Sequence, residues 1–85
     1  MNKRIFFTEH ALEQINERGA TRDEVELAVR KGDKEQAREN RTKHKITLPF
    51  NKTWIGKHYA WKQVVPIVVE EKDEIVVITV LTFYF

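Results

Sequence analysis

The strongest constraint on this chain is a pair of β-branched runs toward its C-terminal end. Val64-Val65-Pro66-Ile67-Val68-Val69 comes first, and Ile75-Val76-Val77-Ile78-Thr79-Val80-Leu81-Thr82-Phe83-Tyr84-Phe85 follows a charged connection, Glu71-Lys72-Asp73-Glu74. Near-continuous runs of this kind read as strands covered on both faces over part of their length. The charged connection makes them an antiparallel hairpin with a soluble tip. Pro66 has no amide hydrogen to donate, so a bulge or a gap in the ladder is expected there. If the last strand is regular, Ile75, Val77, Thr79, Leu81, Phe83 and Phe85 share one face. Val76, Ile78, Val80, Thr82 and Tyr84 then share the other. One face must meet the rest of the domain, and the opposite one takes a partner or frames a groove.

Two helices are expected upstream. Thr8 precedes a run of helix formers and can cap its first free amides, and Gly19 follows the last helical residue and can end the helix in the left-handed conformation. Ala11, Leu12 and Ile15 form an apolar stripe between them, and His10, Gln14 and Arg18 stack along its edge at four-residue spacing. Thr21-Arg22-Asp23-Glu24 is a capping box for a second helix from about Arg22 to Lys31. Val25, Ala28 and Val29 are its buried positions, and Gly32 stops it. The polar stretch Lys34–Arg41 either extends the second helix or forms an edge strand, and the strand is the preferred reading. Lys43–Phe50 reads as a half-buried strand that ends or breaks near Pro49. Asn51-Lys52-Thr53 marks a turn, and Trp54–Tyr59 carries no clear pattern. The expected fold is α+β, with two N-terminal helices packed on one face of a curved three- to four-stranded antiparallel sheet.

Eighty-five residues hold one domain, residues 1–85, with a modest core. There is no cysteine, which removes disulfides and thiolate metal sites. No stretch approaches a membrane span, so a soluble, cytoplasmic protein is expected. The net charge of +2 hides an uneven distribution. Residues 32–63 carry eight Lys and Arg against three acidic residues, with His44, His58, Trp54, Tyr59 and Trp61 interleaved. Cations attract phosphate and aromatic rings stack on unpaired bases. A solvated basic hairpin gives the same composition.

Glycine-rich phosphate loops, acidic metal clusters and nucleophile motifs are absent from the sequence, and no two histidines have the spacing of a helical zinc site. No metal or cofactor is therefore expected. Metal-free RNA cleavage needs a proton acceptor for the ribose 2′-hydroxyl, a donor for the leaving oxygen, and cations for the phosphorane. Histidine is the side chain whose unperturbed charge change falls near neutral pH, which makes His10 the candidate proton carrier, and Arg18 can clamp phosphate through its planar fork. Thr79 can orient the scissile group. Lys43, Lys45, Lys57, His58, Trp61, Lys62 and Tyr84 are the candidate RNA-binding residues.

Phe7-Thr8-Glu9-His10-Ala11, then Glu17-Arg18-Gly19, then Thr21-Arg22-Asp23-Glu24-Val25 resemble the family called domain of unknown function 4258. The resemblance continues through Val65–Glu70 and Val77-Ile78-Thr79-Val80. That family is similar to the RelE-like toxins, which implies a metal-independent endoribonuclease of toxin type, paired with an antitoxin and acting on RNA or at the ribosome. His10, Arg18 and Thr79 match the family positions suspected of function. Members often have tyrosine two residues after the threonine, and here that position is Leu81. Two other readings stay open. One is a non-catalytic RNA- or ribosome-binding module. The other is a protein-interaction domain, including a homodimer, that uses the aromatic C-terminal strand.

Overall fold

A computed structural model describes residues 3–85. Its elements run β1 (Arg4–Phe7), α1 (Glu9–Arg18), α2 (Arg22–Lys31), β2 (Asp33–Gln36), β3 (Arg41–Trp54), β4 (Lys57–Glu70) and β5 (Glu74–Tyr84). All five strands form one sheet in the order β1-β5-β4-β3-β2. Among the described residues no helix is long and apolar enough to cross a membrane.

Both helices begin and end as their caps require. Thr8 Oγ1 accepts from the Ala11 amide, and Gly19 closes α1 at φ 75°. At α2 the Thr21 and Glu24 side chains and amides bond reciprocally, completing the capping box. The α+β class stands, but the expected sheet is corrected in two respects. It has five strands, and it is mixed, because β1 pairs parallel with β5. The helices are therefore mid-chain, not N-terminal. Arg4–Phe7 is only four residues long, too short for alternation to stand out, and it becomes a strand by docking on β5. The Thr8 amide continues that line with a 3.1 Å bond to the Val77 carbonyl. Of the polar stretch Lys34–Arg41, only Lys34–Gln36 lies in an edge strand, β2, which is exposed at every residue; Ala37–Asn40 turn the chain and Arg41 already opens β3.

Two irregularities decide which side chains meet the helices. Thr79 lies opposite Ile67 while Val77 lies opposite Val68. Ile78 is thus an extra residue, and the alternation expected for the last strand changes phase there. Val77 and Val80 are both fully buried in the core with Val64, Val68, Ala11, Ile15, Val25 and Val29. The helix-facing side of β5 is therefore Ile75, Val77, Val80, Thr82 and Tyr84, and Thr79, Leu81 and Phe83 face away. Gln14, 7% exposed, turns inward, and its Oε1 accepts from the Val80 amide at 2.8 Å beyond the residues that β1 pairs. Valine is the largest aliphatic residue with no exposure, which lets the helices lie close to the sheet. Phe6, Trp61, Phe83 and Phe85 remain 40–56% exposed, and no element of the described residues covers the outer sheet face on which Phe83 lies.

The β3–β4 ladder skips Pro66, passing from Lys43↔Ile67 to Ile46↔Val64, because proline supplies no donor. His44 sits in this gap, 4% exposed, with both ring nitrogens buried and without partners. Burial first, and the Lys34 charge second, push its pKa below 6.5, while Glu70 opposes them. The unfolded chain then binds a proton that the folded protein refuses, so stability rises with pH across this window. It is complete above the unfolded value near 6.5 and declines as pH falls toward the lower folded value. The urea midpoint should drop between about pH 7.5 and about pH 5, and His44→Leu should flatten that dependence. An unchanged slope in His44→Leu would assign the effect to another group.

The expected turn at Asn51-Lys52-Thr53 is not a turn. β3 runs on to Trp54, and its register against β4 shifts between Pro49 and Lys52, with Asn51 at φ 48°. The chain reverses at Ile55-Gly56, with φ of 47° and 77°. Positive φ at both central residues marks a type I′ turn, whose twist matches a hairpin. Ile55 is 84% exposed there. A β-branched residue in that region costs about 1–2 kcal/mol.

Candidate nucleic-acid interface

β3 and β4 form a long two-stranded ribbon. Between Glu39 and Glu70 the sequence has no acidic residue, while Arg41, Lys43, Lys45, Lys52, Lys57 and Lys62 fall within it. In the near half, two ribbon lysines are neutralised from outside: Glu35 on β2 reaches Lys43 at 3.4 Å and Lys45 at 4.0 Å. Glu70, at the end of β4, pairs in turn with Lys34 of β2 at 3.4 Å. At the far half, Lys52 and Lys57 have no acidic partner among the described residues.

The far half also carries a cluster of rings. Trp54 lies opposite Lys57 and Lys52 opposite Tyr59, which places these four on one face. Tyr84 of β5 is at the centre of the cluster. Its ring stacks on Trp54 at 5.0 Å and 20°, and tilts against Phe50 at 5.1 Å and Tyr59 at 5.7 Å. Lys52 lies 5.9 Å from the Phe50 ring and Lys57 lies 5.6 Å from the Tyr59 ring. Phe50, Trp54, Tyr59 and Tyr84 are all half-exposed. This face offers partly open π surface beside unpaired ammonium groups, the combination that holds bases and phosphates of an unpaired strand.

The helical turn is built onto the same cluster. The Tyr84 hydroxyl donates to the Arg18 carbonyl at 2.6 Å. Burial, and secondarily the Glu24 charge, raise its pKa above the usual 10.0, so the phenol stays protonated as a donor at neutral pH. Gly19 lies flat over Trp54 and Tyr84. A Cβ there would be 2.7 Å from two Trp54 ring carbons and from the Tyr84 oxygen. Under the rings Lys62 donates to the Gly19 carbonyl at 2.5 Å and pairs with Glu24 at 2.8 Å.

The candidate residues are therefore distributed unevenly. Tyr84 and Lys57 belong to the ring-and-lysine face. Lys43 and Lys45 lie further back along the ribbon, bound to Glu35. His58 is exposed but pairs across from Thr53, on the ribbon's other face. Trp61 pairs with Pro49 on the side of the sheet away from the helices. Lys62, 4% exposed, is a buried cation holding the helical turn and has no surface to offer RNA. Of the three residues assigned to catalysis, His10 is exposed in the first turn of α1, and Arg18 is half-buried in the last turn of the same helix. Eight residues of helix set them about 12 Å apart along the axis. Thr79 is on the opposite side of the sheet. The three do not converge on one phosphate. Tyr84 and Thr79 are also on opposite sides, so Tyr84 does not stand in for the tyrosine that other members carry where this chain has Leu81.

Phe50, Lys52, Trp54 and Tyr59 are not among the candidate RNA-binding residues read from the sequence, although Trp54 and Tyr59 are among the aromatics interleaved in its basic segment. The signal was the Ile55-Gly56 pair. A two-residue turn there puts positions 52, 54, 57 and 59 on one face by alternation alone. A separate groove of about 270 Å³ lies between the end of α2 and β3, lined by Lys31, Asp33, Lys45, Thr47 and Gln63. Among the described residues no group of His, Cys, Asp and Glu is placed to hold a metal ion.

No curated protein and no solved structure matches the chain. The family described as Domain of unknown function (DUF4258) matches it over residues 7–82, from the end of β1 almost to the end of β5, and the chain belongs to that family.

Proposed function

We propose that this protein is an RNA-binding module that takes an unpaired strand on the ring-and-lysine face of its β3–β4 ribbon. The observation that carries the reading is the pairing of cations with open rings at one place, Lys52 over Phe50 and Lys57 over Tyr59, on a ribbon with no acid of its own before Glu70. Bases stack on Trp54 and Tyr59, and the two ammonium groups take the flanking phosphates.

Fluorescence anisotropy with a short unstructured RNA, titrated across salt, tests this. Each phosphate contact on a single strand contributes about 0.7 to the salt slope, so Lys52→Ala/Lys57→Ala should lower it by about 1.4. Trp54→Ala should weaken binding without changing the slope. A slope unmoved by the double lysine variant would remove the reading.

Ribonuclease action of toxin type, with an antitoxin as partner, is the second reading. Its support is that the last turn of α1, which carries Arg18, is anchored to that face by the Tyr84 hydroxyl donating to the Arg18 backbone carbonyl. Incubating the protein with RNA and with translating ribosomes in EDTA, beside His10→Ala and Arg18→Ala, tests it. Cleavage lost in both variants supports it, and intact RNA throughout removes it. A protein partner or a second copy would seat on the exposed Phe83 and Phe85 of β5, and sedimentation of the purified protein reads the second copy directly.

A further inference from the structure

We infer that Ile55, at the tip of the β3–β4 ribbon, is an apolar wedge that enters RNA where a duplex is interrupted by an unpaired base, and that it selects such RNA over continuous duplex. The inference rests on the RNA-binding reading above and adds the kind of RNA and the residue that chooses it.

Ile55 is 84% exposed, more than any other large apolar residue described. Its neighbour Gly56 has nothing within 4 Å of the position a side chain would take, so the tip stands clear of the domain. A turn with φ of 47° and 77° is best made by Asn-Gly or Asp-Gly, and a β-branched side chain is among the least suited to its first position. The chain thus keeps, at a free-standing point, a residue disfavoured by both the backbone and water. Asparagine would relieve both. Strain that no packing contact requires points to a role for the side chain outside the fold.

The surroundings of the tip specify the partner. Lys52, Lys57 and His58 are exposed around it, and the nearest acids in sequence are Glu39 and Glu70. A polyanion fits that field better than a protein surface of mixed charge. Isoleucine and leucine wedges part base steps in nucleic acids, at the expense of unstacking. A continuous A-form duplex closes its deep, narrow major groove to side chains. An unpaired base lifts that barrier and lowers the unstacking cost.

The test compares wild-type protein with Ile55→Asn on three labelled RNAs: an unstructured single strand, a continuous duplex, and the same duplex with one bulged base flanked by 2-aminopurine. Wild-type protein should prefer the bulged to the continuous duplex by about tenfold and should raise the 2-aminopurine fluorescence. Ile55→Asn should fold with a higher Tm, keep its single-strand affinity, and lose both the preference and the fluorescence rise. Equal preference in the two proteins, or no preference in the wild type, overturns the wedge. Single-strand binding that survives such a result leaves the RNA reading standing. Failure of the wild type to bind any of the three RNAs overturns both.

Discussion

Replacing Gly19 by alanine should lower folding stability by about 2–5 kcal/mol, read as a shift in the urea midpoint. Two costs add. The residue holds φ at 75°, where a Cβ clashes with the following carbonyl for about 1–2 kcal/mol. The new methyl would also meet Trp54 and Tyr84 atoms at 2.7 Å, and overpacking of this kind costs about 1–3 kcal/mol. Trp54 and Tyr84 cannot easily give way, because each is stacked on the other and Tyr84 is tied to the Arg18 carbonyl. Gly56→Ala separates the two costs. Its φ is nearly the same at 77°, yet a Cβ there meets nothing, so it should cost only the backbone share of about 1–2 kcal/mol. If both variants fall equally, the rings do not support the helical turn.

Lys62→Ala should be the next most damaging change, at about 2–4 kcal/mol. Lys62 spans from β4 to the α1–α2 turn, where it binds the Gly19 carbonyl and Glu24. Its side chain is 6% exposed and that of Glu24 is 25% exposed. Removing the ammonium leaves Glu24 partly solvated and still bonded to the Thr21 amide at 3.0 Å, so the loss falls short of that for a fully buried pair. Lys62→Met keeps the aliphatic stem in place against Phe50 and should cost less. The buried pair is poorly screened, so high salt should rescue neither variant. A Lys62→Ala protein of normal stability but weak RNA affinity would return Lys62 to the role of a surface cation.

What could be read in advance was whatever local chemistry determines. Thr8, Gly19, Thr21 and Glu24 define both helices because caps act within four residues. The four charged residues after Glu70 mark a hairpin for the same reason. The rest depended on partners distant in sequence. β1 is a strand only because β5 lies beside it. The side presented by Val80, Thr82 and Tyr84 depends on the extra residue at Ile78, which periodicity cannot reveal. The same holds at the interface. Basic composition and interleaved aromatics pointed to β3 and β4, but Lys43 and Lys45 are neutralised by a glutamate from another strand, and Lys62 is drawn beneath the turn. His10 and Arg18 share a helix edge as their spacing required. Sharing an edge left them a helix length apart.

The parallel pairing of β1 with β5 also bears on how the molecule assembles. Arg4 sits beside Glu74, and Gln14 satisfies the amide of Val80, so the opening residues wait for the closing ones before they have anything to rest on. A nascent chain emerging from the ribosome would present two short amphipathic helices with no sheet to shelter them. Such dependence on distant pairings slows folding relative to a helical bundle of equal size, and a fragment stopping after β4 should remain protease-sensitive throughout.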